Sequence, residues 1–214
     1  MKASEFQQME AYMRTRMNDS AHDADHVYRV LYSALDIART EPEADTDVLI
    51  AACLLHDICR IDQFADPAVC HARAGAILAQ KWLAEQGYPE NFTHHVGECI
   101  RTHRFRSSDL PASLEAKILF DADKIDVCGA MGIARTLMYK GRLGHSLDNP
   151  EDENNFEREY HYKLEKQYDR FFTNRGKEIA FSRRQAAVSF FNSLMEELKA
   201  PETMGRDRLE QLLK

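Results

Sequence analysis

The sequence predicts an all-α fold, and three observations support this prediction. Apolar residues recur at the three- and four-residue spacing of helices along most of the chain. The nine glycines and six prolines fall between these periodic segments. No stretch shows the β-branched alternation of a sheet. Since 44% of the 214 residues are hydrophobic, we expect one domain over 1–214, with a core at about 20–140 and C-terminal helices from about 150 to 214 packed on it.

Helix ends are marked by glycine and proline. Glu41-Pro42 stops the second predicted helix, and Gly87 with Pro89 closes the fourth. The unbroken apolar run at 48–55 indicates that the third helix is buried on nearly every side. The helices are predicted at 4–17, 24–40, 46–58, 68–86, 90–104, 111–138, 156–173, 177–198 and 202–213.

Two further segments interrupt this helical pattern. Gly129 and Gly132 are expected to allow either a close helix approach or a break within 111–138. The stretch 145–155 is predicted to be a polar loop. Loops near 59–70 and 139–155 are expected to select the substrate through the shape of the pocket.

Charge and composition exclude several classes of function. A formal net charge of −7 argues against a general nucleic-acid-binding protein. The longest apolar run spans about eight residues where a membrane helix needs roughly 20, and the N-terminus lacks the apolar core of a signal peptide. Five cysteines without a CxxC pair indicate reduced thiols. We therefore expect a cytoplasmic protein, either monomer or homodimer, with no membrane partner.

Three segments carry candidate metal ligands. His56-Asp57 ends the most buried predicted helix, where imidazole and carboxylate need a salt bridge, water or a metal ion. His26 opens the second helix about one turn before Val30 and so faces inward. Asp123 lies on the apolar side of its helix, with Asp126 nearby. Each segment alone also fits a capping or ion-paired role.

Together these segments offer two imidazoles and two carboxylates from three helices, which is how helical bundles hold metal ions. The mixed nitrogen and oxygen set favours a first-row ion such as Mn, Fe, Co, Ni or Zn over an all-oxygen Ca or Mg site.

The order His26, His56-Asp57 and Asp123 resembles the HD superfamily of metal-dependent phosphohydrolases, in its small bacterial, single-domain, YedJ/YpgQ-like branch. The flanking sequences at 22–30, 52–58 and 115–135 carry the resemblance most specifically. The resemblance covers roughly residues 10–198. It implies an HD-domain helical bundle with a C-terminal helical extension, one divalent ion (Mn, Mg, Co, Ni, Fe or Zn), and hydrolysis of a phosphoester or phosphoanhydride, in some members of nucleoside triphosphates.

Further residues are assigned around this ligand set. Asp57, Lys124 and Asp126 are predicted to be catalytic: Lys124 as the first cation beside the ion, Asp126 as a group that orients water or a ligand. Asp23 is expected to hold an imidazole by a hydrogen bond. His71, His103 and Arg29 are expected in the second shell or against substrate. Weaker candidate cations and a histidine pair expected at the surface are Arg101, Arg104, Arg135 and His94-His95.

The sequence therefore predicts a hydrolase that acts on a nucleotide or similar small phosphorylated metabolite. Two alternatives remain open, namely a non-catalytic nucleotide sensor and a di-iron oxygenase-like redox enzyme. Because imidazole must be neutral to bind metal, affinity is expected to fall below about pH 6.5.

Overall fold

The fold is described by a computed structural model over residues 1–17, 24–104 and 109–214. These ranges hold helices and no β-strand, which confirms the all-α prediction. The α-helices, in chain order, are α1 (Ala3–Arg16), α2 (Ala24–Ala38), α3 (Thr46–Leu55), α4 (Arg60–Ala65), α5 (His71–Glu85), α6 (Glu90–Thr102), α7 (Leu114–Ile125), α8 (Gly129–Arg142), α9 (Phe156–Glu159) and α10 (Asn174–Leu212). Helices α1, α2, α5 and α6 lie within a few residues of the predicted ranges.

Helix α3 is the centre of the bundle. Asp45 caps it, because its side chain accepts hydrogen bonds from the backbone nitrogens of Asp47 and Val48. Residues 51–55 are fully buried, and α1, α2, α6 and α7 pack around them. The apolar run therefore specifies the innermost helix, as predicted.

The predicted end of this helix at residue 58 is wrong. Helix α3 ends at Leu55, and His56-Asp57 lies in the turn that leads into α4. Helix α4 itself falls in a segment predicted to be a loop. In a helix, two successive side chains point in different directions. Because His56 and Asp57 lie in a turn, both side chains can face the same interior point.

The predicted helix at 111–138 is two helices. Helix α7 ends at Ile125, and α8 begins at Gly129, whose φ is +66°. A left-handed backbone favours glycine. A β-carbon there would also lie 2.8 Å from the Arg183 β-carbon. Gly129 thus forms the break that the sequence left open as one of two roles.

The single helix predicted at 156–173 is wrong. It is divided into α9, a π-helical turn at Tyr160–Leu164 and a 3-10 turn at Gln167–Arg170. The Gln167 amide donates a hydrogen bond of 2.7 Å to the Val127 backbone oxygen. Asp121 accepts hydrogen bonds from the backbone nitrogens of Phe172 and Thr173. These contacts with α7 and its end hold the chain out of a regular helix.

The two helices predicted at 177–198 and 202–213 form one continuous helix, α10, with Pro201 inside it. A proline removes one helical hydrogen bond. Here the carbonyl it leaves free belongs to Glu197, which is exposed to solvent, so water can satisfy it.

A second apolar cluster joins the C-terminal elements to the bundle. The rings of Tyr160 and Phe191 stack at 3.6 Å between centroids, beside the buried side chain of Phe156. The cluster comprises Ile133, Phe156, Tyr160, Leu164, Ala187, Phe191 and Met195. Among the helices of the described ranges, none has the combination of length and apolar character needed to cross a bilayer.

Two glycines of α8 allow a matched test of this packing. A β-carbon at Gly132 would lie 2.0 Å from the Val127 backbone oxygen, whereas one at Gly141 would meet nothing within 4 Å. Gly132→Ala is expected to lower the free energy of unfolding by about 1–3 kcal/mol through overpacking. Gly141→Ala is expected to raise it by about 0.5–1 kcal/mol through helix propensity. Urea denaturation of both variants measures this, and equal effects would contradict the close approach.

Candidate metal centre and substrate cavity

The turn after α3 places His56 in the interior, where one of its ring nitrogens is engaged in a hydrogen bond. His56 Nδ1 donates to the Cys53 backbone oxygen at 2.7 Å, and the side chain is fully buried. A neutral imidazole carries one proton. Its Nε2 therefore presents a lone pair to the interior.

Helix α2 presents His26 in the same way. Its Nδ1 lies 2.7 Å from Asp126 Oδ2, to which it donates. Asp126 also accepts from Arg29 Nε at 2.7 Å and from Arg135 Nη1 at 2.6 Å. A carboxylate behind a ligating imidazole fixes the tautomer and the ring orientation. Asp126 therefore positions His26 and leaves its Nε2 unprotonated.

Four side chains converge on one point. His26 Nε2 lies 3.4 Å from His56 Nε2, 3.5 Å from Asp123 Oδ1 and 3.7 Å from Asp57 Oδ2. His56 Nε2 is 3.8 Å from the same Asp57 oxygen. For ligands about 2.1 Å from an ion, neighbouring donor atoms are roughly 3.0–3.4 Å apart in octahedral or tetrahedral geometry. The observed separations of 3.4–3.8 Å lie at the upper end of this range or slightly above it.

The chemistry of these donors fits a cation. Two ring nitrogens that both carry lone pairs face each other at 3.4 Å, which is unfavourable unless a positive charge lies near them. Burial lowers the pKa of His26 and of His56, so protonation does not provide that charge readily. His26, His56, Asp57 and Asp123 could hold a divalent ion.

Asp123 divides its two oxygens between the ligand group and a cation. Its Oδ1 faces His26, while Lys124 Nζ lies 2.5 Å from its Oδ2 and donates to the His103 backbone oxygen at 3.0 Å. Burial opposes ionisation of Asp123, but the charge of Lys124 together with the contacts with His26, His103 and His56 outweighs it and holds the pKa of that carboxyl well below its usual value.

A second group of donors lies on the other side of Asp57. Its Oδ1 is 3.5 Å from His71 Nε2 and 3.6 Å from His103 Nε2, and these two nitrogens are 3.3 Å apart. His103 Nδ1 donates to the Ile100 backbone oxygen at 2.6 Å. Asp57 Oδ1 is buried and has no hydrogen-bond partner within the described residues. The carboxylate thus faces two sets of imidazoles, one with each oxygen.

The charge of Asp57 is maintained despite its burial. Burial raises the pKa of this carboxyl, but the Arg60 guanidinium and the contacts with His56 and His103 outweigh that effect and hold the pKa well below its usual value. In contrast, burial lowers the pKa of His71 to about 2. At neutral pH, burial thus favours neutral imidazoles at His26, His56 and His71 around an ionised Asp57.

Both donor groups open into a cavity of about 260 Å³. Its wall is rich in cations and draws on the turn after α3, on α8 and on the π-helical turn. The positively charged lining residues are Arg60, Arg104, Lys124, Arg135, Lys140 and Lys163. Lys140 is buried and donates to the Asn154 backbone oxygen at 2.7 Å.

The structure brings most of the predicted site residues together. The four predicted metal ligands (His26, His56, Asp57 and Asp123), with Lys124, Asp126, His71 and His103, all lie within this centre or directly behind it. Arg29 pairs with Asp126 and does not belong to the cavity lining of the described residues. Asp23 lies outside the described residues.

Other predicted residues are placed away from the centre. His94 is exposed, and His95 Nε2 lies 3.0 Å from Glu115 on the far side of α6. Arg101 pairs with Glu98 and Asp109. The surface roles that the sequence favoured for these side chains fit their placement.

Several cavity residues were not predicted. Arg60 lies three residues after Asp57, and this proximity was an available signal. Gln63 accepts a hydrogen bond of 2.5 Å from His71 Nδ1. Lys140 falls in the segment at 139–155 that was expected to shape the pocket, but it was not singled out as a cation. Lys163 carried no usable signal, because it falls in a segment that reads as a charged amphipathic helix.

The buried imidazoles predict a pH dependence for the metal-free protein. The unfolded chain binds a proton at His71 below about pH 6.5, whereas the folded pKa is about 2. Stability is therefore full above pH 6.5 and falls as the pH drops from that value, by about 1.4 kcal/mol per pH unit for each such group. The same low pKa values move the expected loss of metal to below pH 6.5.

Urea denaturation between pH 7 and pH 5 measures this slope. His71→Gln is expected to reduce it, while His161→Gln, at an exposed position, is expected to leave it unchanged. Identical slopes for the two variants would contradict burial of a neutral His71.

Comparisons with known proteins agree with the helical fold. Residues 23–128 match the HD domain. YpgQ of Bacillus subtilis (strain 168), described as uncharacterized, is 28% identical over 198 residues, which cover 90% of this chain and 93% of YpgQ.

Two solved structures extend the likeness. A predicted HD superfamily hydrolase from an uncultured Thermotogales bacterium is 29% identical, with a TM-score of 0.64 over 92% of this chain and 99% of its own. The structure of Bacillus subtilis YpgQ in complex with ADP is 25% identical, with a TM-score of 0.73 over 90% and 97%. This chain therefore contains an HD domain at residues 23–128 and is similar in fold to HD superfamily hydrolases.

Proposed function

We propose that this protein is a metal-dependent phosphohydrolase that cleaves a phosphoester or phosphoanhydride bond of a nucleotide or similar small phosphorylated metabolite. The observation that carries the proposal is the cationic cavity wall directly beside a buried His/Asp donor group. Phosphoryl transfer depends mainly on positioning and on neutralising charge. The complex of the related YpgQ with ADP supports a nucleotide as the ligand.

One set of residues would hold the metal ion, and another set would bind the phosphate group of the substrate. When bound, a divalent ion supplies Lewis acidity, which lowers the pKa of water towards about 7 and withdraws charge from a phosphoryl oxygen. His26, His56, Asp57 and Asp123 would hold it. Asp126 keeps His26 in the ligating tautomer.

The cations have distinct positions for a phosphate group. Lys124 lies beside Asp123 and so next to the ion's position. Lys140 and Lys163 lie in the wall contributed by α8 and the π-helical turn, with Glu159 3.4 Å from Lys140. We propose that Lys124 neutralises the reacting phosphoryl group and that Lys140 and Lys163 bind the rest of the phosphate chain.

A redox function is the second candidate, because Asp57, His71 and His103 form a further donor group. Two irons per chain with oxygen uptake would select an oxygenase-like enzyme. The six cations of the cavity wall favour the phosphohydrolase, since oxygen itself carries no charge for them to bind.

The proposal is tested by measuring phosphate release from a panel of nucleotides and phosphoesters with Mn, Mg, Co and Ni, together with elemental analysis. His56→Ala and Asp57→Ala are expected to lose bound metal and to lower kcat/KM at least about 10³-fold. His94→Ala, at an exposed position, is expected to retain both. A His56→Ala protein with full metal content and activity would exclude this centre.

The lowered pKa of Lys163 predicts a second pH dependence, in this case of KM. Burial and the nearby charge of Lys124 lower the pKa of Lys163 to about 8. The ammonium is charged below that pH and is lost as the pH rises through it, so KM for a phosphorylated substrate is expected to increase above pH 8.

The matched variant is Lys163→Arg, whose guanidinium stays charged throughout this range. Its KM is expected to stay flat between pH 7 and pH 9. A rise in KM equal to that of the unmodified protein would show that Lys163 does not bind the substrate.

A further inference from the structure

The second donor group has the properties of a cation site. His71 Nε2 and His103 Nε2 are 3.3 Å apart, and each lies within 3.6 Å of Asp57 Oδ1. All three side chains are buried. The Asp57 oxygen is without a hydrogen-bond partner among the described residues. A positive charge is needed near these atoms for the same reason as in the first group.

Arg60 provides a positive charge at this position. Its Nη1 lies 2.9 Å from His71 Nδ1 and 3.0 Å from His71 Nε2. Nη1 is thus almost equidistant from the two ring nitrogens and lies against the face of the His71 ring, which places positive charge 3.0 Å from Nε2. His71 Nδ1 donates its proton to Gln63 Oε1 at 2.5 Å, so Nε2 is the nitrogen that a metal ion would require.

A guanidinium and a second ion would compete in this space. An ion bonded to His71 Nε2 at about 2.1 Å would be no more than about 5 Å from Arg60 Nη1. Like charges at that distance repel strongly in a buried setting. The guanidinium is also the nearby charge that most favours the ionised form of Asp57.

We propose that the guanidinium of Arg60 stands in for a second metal ion beside Asp57, so that the protein binds one divalent ion, at His26, His56, Asp57 and Asp123. Removing this guanidinium opens a second site at Asp57, His71 and His103. The inference rests on the proposed function only in that the first donor group holds an ion.

The test uses the full-length protein, stripped of metal, loaded with Mn²⁺ and desalted. Elemental analysis gives the number of ions per chain, and electron paramagnetic resonance detects the coupling of two ions that share a carboxylate. We expect one ion in the unmodified protein and two coupled ions in Arg60→Met. Arg60→Lys, which keeps the charge, is expected to bind one.

Two further variants define the site. Arg104→Met removes a different arginine of the same cavity and is expected to leave the count at one. Arg60→Met combined with His71→Ala is expected to return the count to one. Circular dichroism checks folding, and Arg60→Gln replaces Arg60→Met if that variant does not fold.

The outcomes separate this inference from the proposed function. Two ions in the unmodified protein, one ion in Arg60→Met, or two ions in Arg104→Met would each overturn the role of Arg60 while leaving the first centre intact. No bound ion in any of these proteins would overturn the first centre as well, and the metal-dependent mechanism with it.

Discussion

The interior of this protein is organised by the need to place positive charge among unprotonated ring nitrogens. Two pairs of imidazoles face each other at 3.3–3.4 Å, and both pairs face a single carboxylate, Asp57. Each ring is held by its other nitrogen: His26 by Asp126, His56 and His103 by backbone oxygens, and His71 by Gln63. Such rings cannot turn to relieve their repulsion. The rest of the structure keeps these rings in place and buries them from bulk solvent.

The apolar packing explains how this is achieved. Helix α3 is buried over most of its length from Val48 onward and carries His56-Asp57 at its end, so displacing the pair would expose apolar surface. Helix α7 faces two ways: Asp123 belongs to the centre, whereas Asp121 binds the backbone ahead of α10. One helix therefore connects the donor groups with the C-terminal elements.

The sequence predicted the helical class, the innermost helix and the four donors, because burial periodicity and charged residues on apolar faces are local signals. It did not predict the turn at His56-Asp57 or the division of 156–173, since tertiary hydrogen bonds from Gln167 and Asp121 decide the latter. Pro201 led to a wrong prediction of two separate helices, because an exposed helix tolerates the hydrogen bond that proline removes. Gln63 and Lys163 reach the cavity only through the fold, and spacing alone could not identify them, whereas Arg60 lies close to Asp57 in sequence and was overlooked.

The cavity is built from two separate parts of the chain. All candidate ligands lie between residues 26 and 123, whereas Lys140 and Lys163 belong to α8 and the π-helical turn. A π-helical turn is a local insertion in a helix and is common at functional sites. Under the proposed function, substitutions in this later segment would change which substrate is bound, while the candidate metal ligands stay the same. Divergence in substrate preference among proteins that share the same ligand order would follow from this separation.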